Sequence, residues 1–298
     1  MIARLLADSQ LDFAMKTRNG TSAADTLKGT DIAEKINGLG GDDTITGGKG
    51  DDILDGGDGN DHIEGGAGND RINTGNNGSQ VSGQVKSDEA YGDGGQDVLH
   101  GDDGTQYLHG GTGIDRLFGG GGDDFLFGED GSDDLSGGVG NDILIGGPGR
   151  NTLSGGSGND RLIALAGNDT MDGGAGNDIY FTGTNRASTT DKSGNDEYHV
   201  DGGDTRSSIS DSSGTDELVF KSFSKDDLTF TRDGYDLHIE IDGYHGETTI
   251  SSFFLGKGHR IETLFDDTQS SDNPDGFDLS VLKALKVSGD SADGSDLW

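Results

Sequence analysis

Cysteine is absent from the 298 residues, so neither a disulfide nor a thiolate metal site can form. Apolar side chains are scarce, at 29% of positions, which is too few for a thick hydrophobic core. No run approaches the ~20 apolar residues of a membrane span. The opening MIARLLADSQLDF is broken by Arg4 and Asp8 and has no continuous apolar stretch of the kind a Sec signal peptide needs. Basic residues are few as well: 21 Lys and Arg stand against 56 Asp and Glu, for a formal net charge of −35. That balance argues against nucleic acid, whose phosphates select basic surfaces, and against simple attraction to anionic lipid. So much carboxylate calls for a cation as its partner. Such a composition also marks disorder, a description that suits the metal-free chain but not one with a strict period.

What the chain has in abundance is glycine, 57 residues, about 19% where ~7% is ordinary. Much of it recurs every nine residues. From Gly20 to Phe181 the chain stays in phase for eighteen units, among them GGKGDDILD, GGDGNDHIE, GGVGNDILI and GGAGNDIYF. The first position is Gly sixteen times, the fourth is Gly fourteen times and the sixth is Asp fourteen times, with departures at Glu34, Ser79, Gln106 and Asn151. The eighth is apolar in all eighteen, from Leu27 to Tyr180.

Each position has a physical reason. Six residues make a tight turn whose glycines reach φ > 0 and bring backbone carbonyls close together. The sixth adds a carboxylate oxygen. Calcium, a hard cation that takes ~6–8 oxygens, suits carbonyls and carboxylates supplied by neighbouring turns. The last three residues form a short strand with the eighth pointing inward, because successive side chains alternate between faces. Two units complete a coil, so same-side turns recur every 18 residues and stack ~4.8 Å apart. Carboxylates at that separation repel by roughly 0.9 kcal/mol even in water, and a cation between them turns repulsion into coordination.

The expected fold is all-β, a parallel β-roll solenoid of nonapeptide repeats followed by a small C-terminal β module. One edge is expected to carry Asp25, Asp43, Asp61, Ser79, Asp97, Asp115, Asp133, Asn151 and Asp169, and the other Glu34, Asp52, Asp70, Asp88, Gln106, Asp124, Asp142, Asp160 and Asp178. At least seven strong sites follow, at 43/61, 97/115, 115/133, 52/70, 124/142, 142/160 and 160/178, with weaker ones beside Gln106 and Asn151. The metal ligands are expected to be Asp43, Asp52, Asp61, Asp70, Asp88, Asp97, Asp115, Asp124, Asp133, Asp142, Asp160, Asp169, Asp178 and Asp196. Residues 74–91 lose the motif over the length of one coil, and the sites are expected at 38–73 and 92–181. The 74–91 segment reads as a degenerate coil with Val81 and Ala90 inward, the alternative being a coil-length excursion.

The array resembles the haemolysin-type, or repeats-in-toxin (RTX), calcium-binding repeats, whose signature is this nonapeptide. The likeness covers residues 20–219, including the looser DKSGNDEYH and SSGTDELV. Residues 224–268 are similar to the domain that often follows such repeats, and read as strands near 228–232, 237–241, 248–253 and 260–265 with Asp233-Gly234 as a hairpin turn. The resemblance implies export by the type I secretion apparatus of a Gram-negative bacterium, with an uncleaved C-terminal signal in 269–298. It also implies folding outside the cell, where calcium is plentiful, and affinities of ~10⁻⁴–10⁻³ M would suit such a switch. The chain further resembles the small secreted nodulation-signalling RTX proteins of rhizobia in being nearly all repeat.

The functional expectation is a secreted, extracellular, non-catalytic calcium-binding protein acting at the cell surface or on a host. Two alternatives remain: an RTX toxin or other membrane-active protein, and the calcium-binding C-terminal part of a larger secreted enzyme. Only nineteen residues precede the first unit, and neither HExxH nor GxSxG occurs. Residues 1–19 read as an amphipathic cap, with Ile2, Leu5, Leu6 and Phe13 covering the open end of the roll. His62, His100, His109, His199, His238, His245 and His259 are expected on the surface. On the second sheet the outward positions become apolar late in the array, at Phe125, Phe127, Ile143, Ile145, Ile163, Ile179 and Phe181, broken by Arg161. Such a patch marks a contact surface, either for the 220–268 module or for self-association or a partner.

Overall fold

The computed structural model describes residues 15–76, 87–183, 186–201, 206–221, 227–233, 235–242 and 247–251, together with the strands Thr263–Asp266, Phe277–Asp278 and Ser291–Asp293. Every regular element among them is a β-strand. One coil shows the design. Ile53–Asp58 runs in the first sheet, His62–Ala67 crosses to the second, and Arg71–Asn76 returns to the first. Pairing is parallel with a step of 18 residues: Leu54 lies beside Ile72, and Ile45 beside Ile63. This is the β-roll.

The glycines make the corners. Gly48 and Gly50 hold φ of 113° and 100°, and a Cβ on Gly48 would stand 2.3 Å from the carbonyl oxygen of Thr30 one coil below. Three second-position residues take the same conformation without being glycine: Leu39 at 81°, Asp93 at 70° and Glu129 at 67°. Between the sheets lies a core one side chain deep, filled by the eighth position. Ile36, Leu54, Ile72, Leu99, Leu117, Leu135, Leu153 and Met171 come from the first sheet; Ile45, Ile63, Ala90, Leu108, Leu126, Leu144, Leu162 and Tyr180 come from the second. All are buried.

At the motif-poor stretch the structure departs from both whole-coil expectations. Ile63 pairs with Ala90 and Ile72 with Leu99, each a step of 27 residues. The stacking therefore advances by one nonapeptide more than a coil, not by two. The unit that carries Asp88 and Ala90 has the residues to join the second sheet and does so as Ser87–Gly95; the unit 74–82 has Ser79 at the sixth position. Val81 lies outside the described residues, as do Ile2, Leu5, Leu6 and Phe13 of the expected cap. Lys16–Asn19 is a strand paired with Glu34–Gly40.

Past Phe181 the coil lengthens to 20 residues, Ser188 lying beside Ser208 and Glu197 beside Glu217. The following module extends both sheets: Glu247–Ile250 adds in parallel to Arg206–Asp211, and Thr263–Asp266 to Glu217–Lys221. Leu228–Asp233 and Asp236–Ile241 form the antiparallel hairpin that Asp233-Gly234 predicts. Of the two contacts expected at the apolar face, the module or a partner, the described strands of the module do not make the first: they lie at the ends of the two sheets. An open sheet end presents unpaired N–H and C=O groups, and in the described residues the module satisfies those instead. Its Leu228, Phe230, Leu237, Ile239 and Ile250 prolong the same core. The outer-face residues Phe125, Phe127, Ile143, Ile145, Ile163, Ile179 and Phe181 stay half-buried. They align as Phe125–Ile143–Arg161–Ile179 and Phe127–Ile145–Ile163–Phe181.

Candidate metal centre

Each sixth-position aspartate sits where the turn meets the strand, and the two oxygens of its carboxylate meet different surroundings. One oxygen, Oδ1, accepts the backbone N–H of the equivalent residue one coil earlier. In one column Asp43 donates to Asp61 (2.9 Å), Asp61 to Asp88 (2.7 Å), Asp124 to Asp142, Asp142 to Asp160, Asp160 to Asp178 and Asp178 to Asp196 (each 2.8 Å). In the other, Asp52 donates to Asp70 (2.7 Å), Asp70 to Asp97 (2.5 Å), Asp97 to Asp115 (2.8 Å), Asp115 to Asp133 (2.9 Å) and Asp133 to Asn151 (2.8 Å).

These ladders correct the expected columns. The 27-residue step sets Asp88 above Asp61 and Asp97 above Asp70, so the two edges exchange partners at that point. Nor is there a gap between 73 and 92: the pairs 61/88 and 70/97 follow directly on 43/61 and 52/70. The seven 18-residue pairs named from the sequence lie in these ladders.

The second oxygen is the chemically informative one. All fourteen expected ligand aspartates are buried. In thirteen of them Oδ2 has no hydrogen-bond partner, Asp169 being the exception. A buried carboxylate oxygen without a partner is expensive, and its repetition at one position of a repeat makes it the candidate ligand atom. Glycine at position one brings a backbone carbonyl to the same place. A Cβ on Gly47 would fall 2.6 Å from Asp52 Oδ2 and 2.5 Å from the carbonyl oxygen of Gly65; one on Gly119 would fall 2.3 Å from Asp124 Oδ2 and 2.7 Å from that of Gly137. Hard anionic and carbonyl oxygens therefore converge in a cradle that any side chain would fill. That donor set fits calcium.

The electrostatics point the same way. Burial, reinforced by neighbouring carboxylates, pushes Asp61 and Asp70 up to about 6, Asp88, Asp97, Asp160 and Asp196 to about 7, and Asp124 to about 8. Backbone N–H groups pull against this shift and lose. Only protons or a cation relieve such a column. At its first coil the protein supplies its own cations: buried Glu34 pairs with Lys16 at 3.2 Å and Arg18 at 3.5 Å. Burial alone would raise Glu34, but these partners hold it below the usual carboxylate range.

The two degenerate positions close on themselves. Asn151 turns its amide nitrogen to the Gly147 carbonyl at 3.1 Å, and Gln106 donates to Asp102. Described histidines lie on sheet faces, where His62 and His109 meet Glu89 and Glu129 at 3.0 and 2.9 Å; His245 and His259 lie outside the described residues.

Two features were not read from the sequence. The fifth position forms a counter-running ladder: Asn60 N–H donates to Asp42 Oδ1 (3.0 Å), Asn159 N–H to Asn141 Oδ1 (2.8 Å) and Asn177 N–H to Asn159 Oδ1 (2.7 Å). Its signal was the recurrent Asn or Asp before the sixth residue. The other is a pair of buried aspartates, Asp191 and Asp211, at the first position of the late turns. No helix among the described residues is long and apolar enough to cross a membrane.

No curated protein matches the chain. The family model for the RTX calcium-binding nonapeptide repeat (4 copies) matches residues 19–52, 28–63, 37–72, 47–81, 74–105, 109–144 and 145–180, which together span more than half of the sequence. With its parallel roll, its stacked aspartates and this match, the chain belongs to the family of RTX calcium-binding repeat proteins.

Proposed function

We propose that this is a secreted, non-catalytic protein whose roll folds when calcium loads the stacked aspartate pairs outside the cell, and which then acts at the cell surface or on a host. The observation that carries this reading is the row of buried Oδ2 atoms without hydrogen-bond partners. At least seven ions are expected, at the well-formed pairs from 43/61 to 160/178, with 61/88 and 70/97 added by the register of the strands. The test is a calcium titration of the metal-stripped full chain followed by circular dichroism. A cooperative gain of β signal is expected, and a chain fully β in chelator contradicts the reading. Export rests on the family's habits, with the signal placed in 269–298. Co-expression with a type I exporter tests it: removal of 269–298 should leave the protein in the cell, and undiminished export would show that the signal is elsewhere.

The apolar outer face supports a second element of the reading, contact with another copy or a partner through Phe125, Phe127, Ile143, Ile145, Ile163 and Phe181. Those side chains stay half-exposed beside the described strands of the C-terminal module. Phe127→Asp with Ile145→Asp should leave calcium-induced folding intact while abolishing any concentration-dependent assembly seen by light scattering. Assembly that survives the pair of changes excludes this face.

A further inference from the structure

The last turns of the roll depart from the repeat in one respect that changes their chemistry. In DKSGND and DSSGTD the first position is aspartate, Asp191 and Asp211, where the array has glycine. Elsewhere that glycine leaves a bare Cα against the sixth-position oxygen. Here a third carboxylate enters the same space. Asp178, Asp191 and Asp196 each offer one oxygen, and the three atoms lie within 4.8 Å of one another; Asp196, Asp211 and Asp216 do the same.

All five residues are buried. Asp178 and Asp196 keep Oδ2 without a hydrogen-bond partner, so each triad contains an oxygen that the protein leaves unsatisfied. The added carboxylates are held in place. Asp191 accepts the Tyr180 hydroxyl and the Ser193 N–H (2.8 Å); Asp211 accepts the Tyr198 hydroxyl (2.7 Å) and the Ser213 N–H (3.0 Å). The two tyrosine rings stack with centroids 4.9 Å apart. Both hydroxyls thus cross the core to fix the first-position carboxylates, and Asp211 is further held by a hydrogen bond with Asp216 of its own triad.

We propose that these triads form a linked pair of cation sites sharing Asp196, and that they bind calcium more tightly than the two-aspartate sites of the roll. Affinity of an oxygen site for calcium rises with the number of charged ligands and with rigidity. Both are greater here, with three carboxylates per site and hydroxyl anchors on Asp191 and Asp211. The proposal rests on the reading that the unsatisfied oxygens take calcium, and adds an order of filling to it.

Terbium titration of the full-length protein, exciting tyrosine and reading terbium emission, tests the proposal alongside calcium calorimetry. In the unaltered chain the first equivalents of terbium should give sensitised emission, because Tyr180 and Tyr198 border the triads. Calorimetry should resolve a tight class of calcium sites ahead of the bulk. In the Asp191→Asn/Asp211→Asn variant the tight class should weaken at least tenfold with the later sites retained. Tyr180→Phe/Tyr198→Phe should lose the early emission and, with the hydroxyl anchors gone, weaken the tight calcium class while retaining the later sites. If the double asparagine variant does not fold in calcium, Asp191→Asn and Asp211→Asn are titrated singly, each expected to weaken one site. An unchanged tight class in the asparagine variants overturns the proposal, as does its loss in Asp124→Asn/Asp142→Asn instead. Absence of calcium heat in every protein would instead sink the broader calcium reading.

Discussion

Thirteen of the fourteen turn aspartates give one carboxylate oxygen to a backbone N–H and keep the other without a hydrogen-bond partner, so replacing one oxygen has a readable consequence. Asn151 shows the outcome. Its Oδ1 still accepts from Asp133, but the nitrogen that replaces the second oxygen donates to Gly147 within its own turn. Asn151→Asp should therefore add at least one calcium to the stoichiometry measured by calorimetry, and an unchanged count would show that the cradle there is closed for another reason. Leu39 offers a test of the backbone. It holds φ of 81° while 54% exposed, and a non-glycine residue in that region loses roughly 1–2 kcal/mol. Leu39→Gly should raise the denaturation free energy in calcium by about 1 kcal/mol, whereas a loss of stability would mean the leucine side chain makes contacts that outweigh the strain. The sixth-position aspartates were legible because their period is strict and their chemistry has few alternatives. Asp191 and Asp211 were not, because in DKSGND and DSSGTD they stand at a position where the pattern calls for glycine.

At the scale of strands the sequence misled in an instructive way. Its period is nine while the coil is 18, so a disturbance that keeps the nine-residue phase does not reveal whether one or two units fall outside the stack. Only the pairing of Ile63 with Ala90 decides it. The hairpin of the C-terminal module was readable from Asp233-Gly234, but its position was not, because pairing to the ends of both sheets leaves no pattern in composition. The register step makes a direct prediction. Removing residues 77–85 joins Thr74-Gly75-Asn76 to Lys86-Ser87-Asp88-Glu89-Ala90-Tyr91, a single nonapeptide with Asp88 sixth and Ala90 eighth. The shortened chain should fold in calcium with the same ion count, and a shorter connection should leave its melting temperature equal or higher. Loss of cooperative folding would show that the removed residues hold the two halves of the roll together.

For the molecule as a whole, the stacked carboxylates couple folding to protons, as the proposed function couples it to calcium. In the unfolded chain an aspartate titrates near ~3.9, whereas in the fold Asp61 lies at about 6 and Asp124 at about 8. The folded state thus holds more protons between about pH 4 and 8, and its calcium-free stability falls as pH rises through that window. Acidifying a calcium-free solution from pH 8 to 5 should therefore increase the β signal in circular dichroism, while the calcium needed to fold the chain should rise because protons compete for the same oxygens. A calcium-free chain that loses structure over that range would show that other groups dominate. The single-repeat register step has one more consequence for the assembled molecule. A stack in which half a coil is one repeat has a parity: inserting one unit turns every later strand over to the opposite sheet, and a second insertion turns them back. In this protein the step sets Tyr91 beside His62, with His109 and then Phe127 stacked on it at 4.6 and 4.5 Å, so one continuous aromatic row crosses the irregular region and runs into the apolar surface. An even step would have ended that row at His62 and begun the apolar surface on the opposite side of the roll.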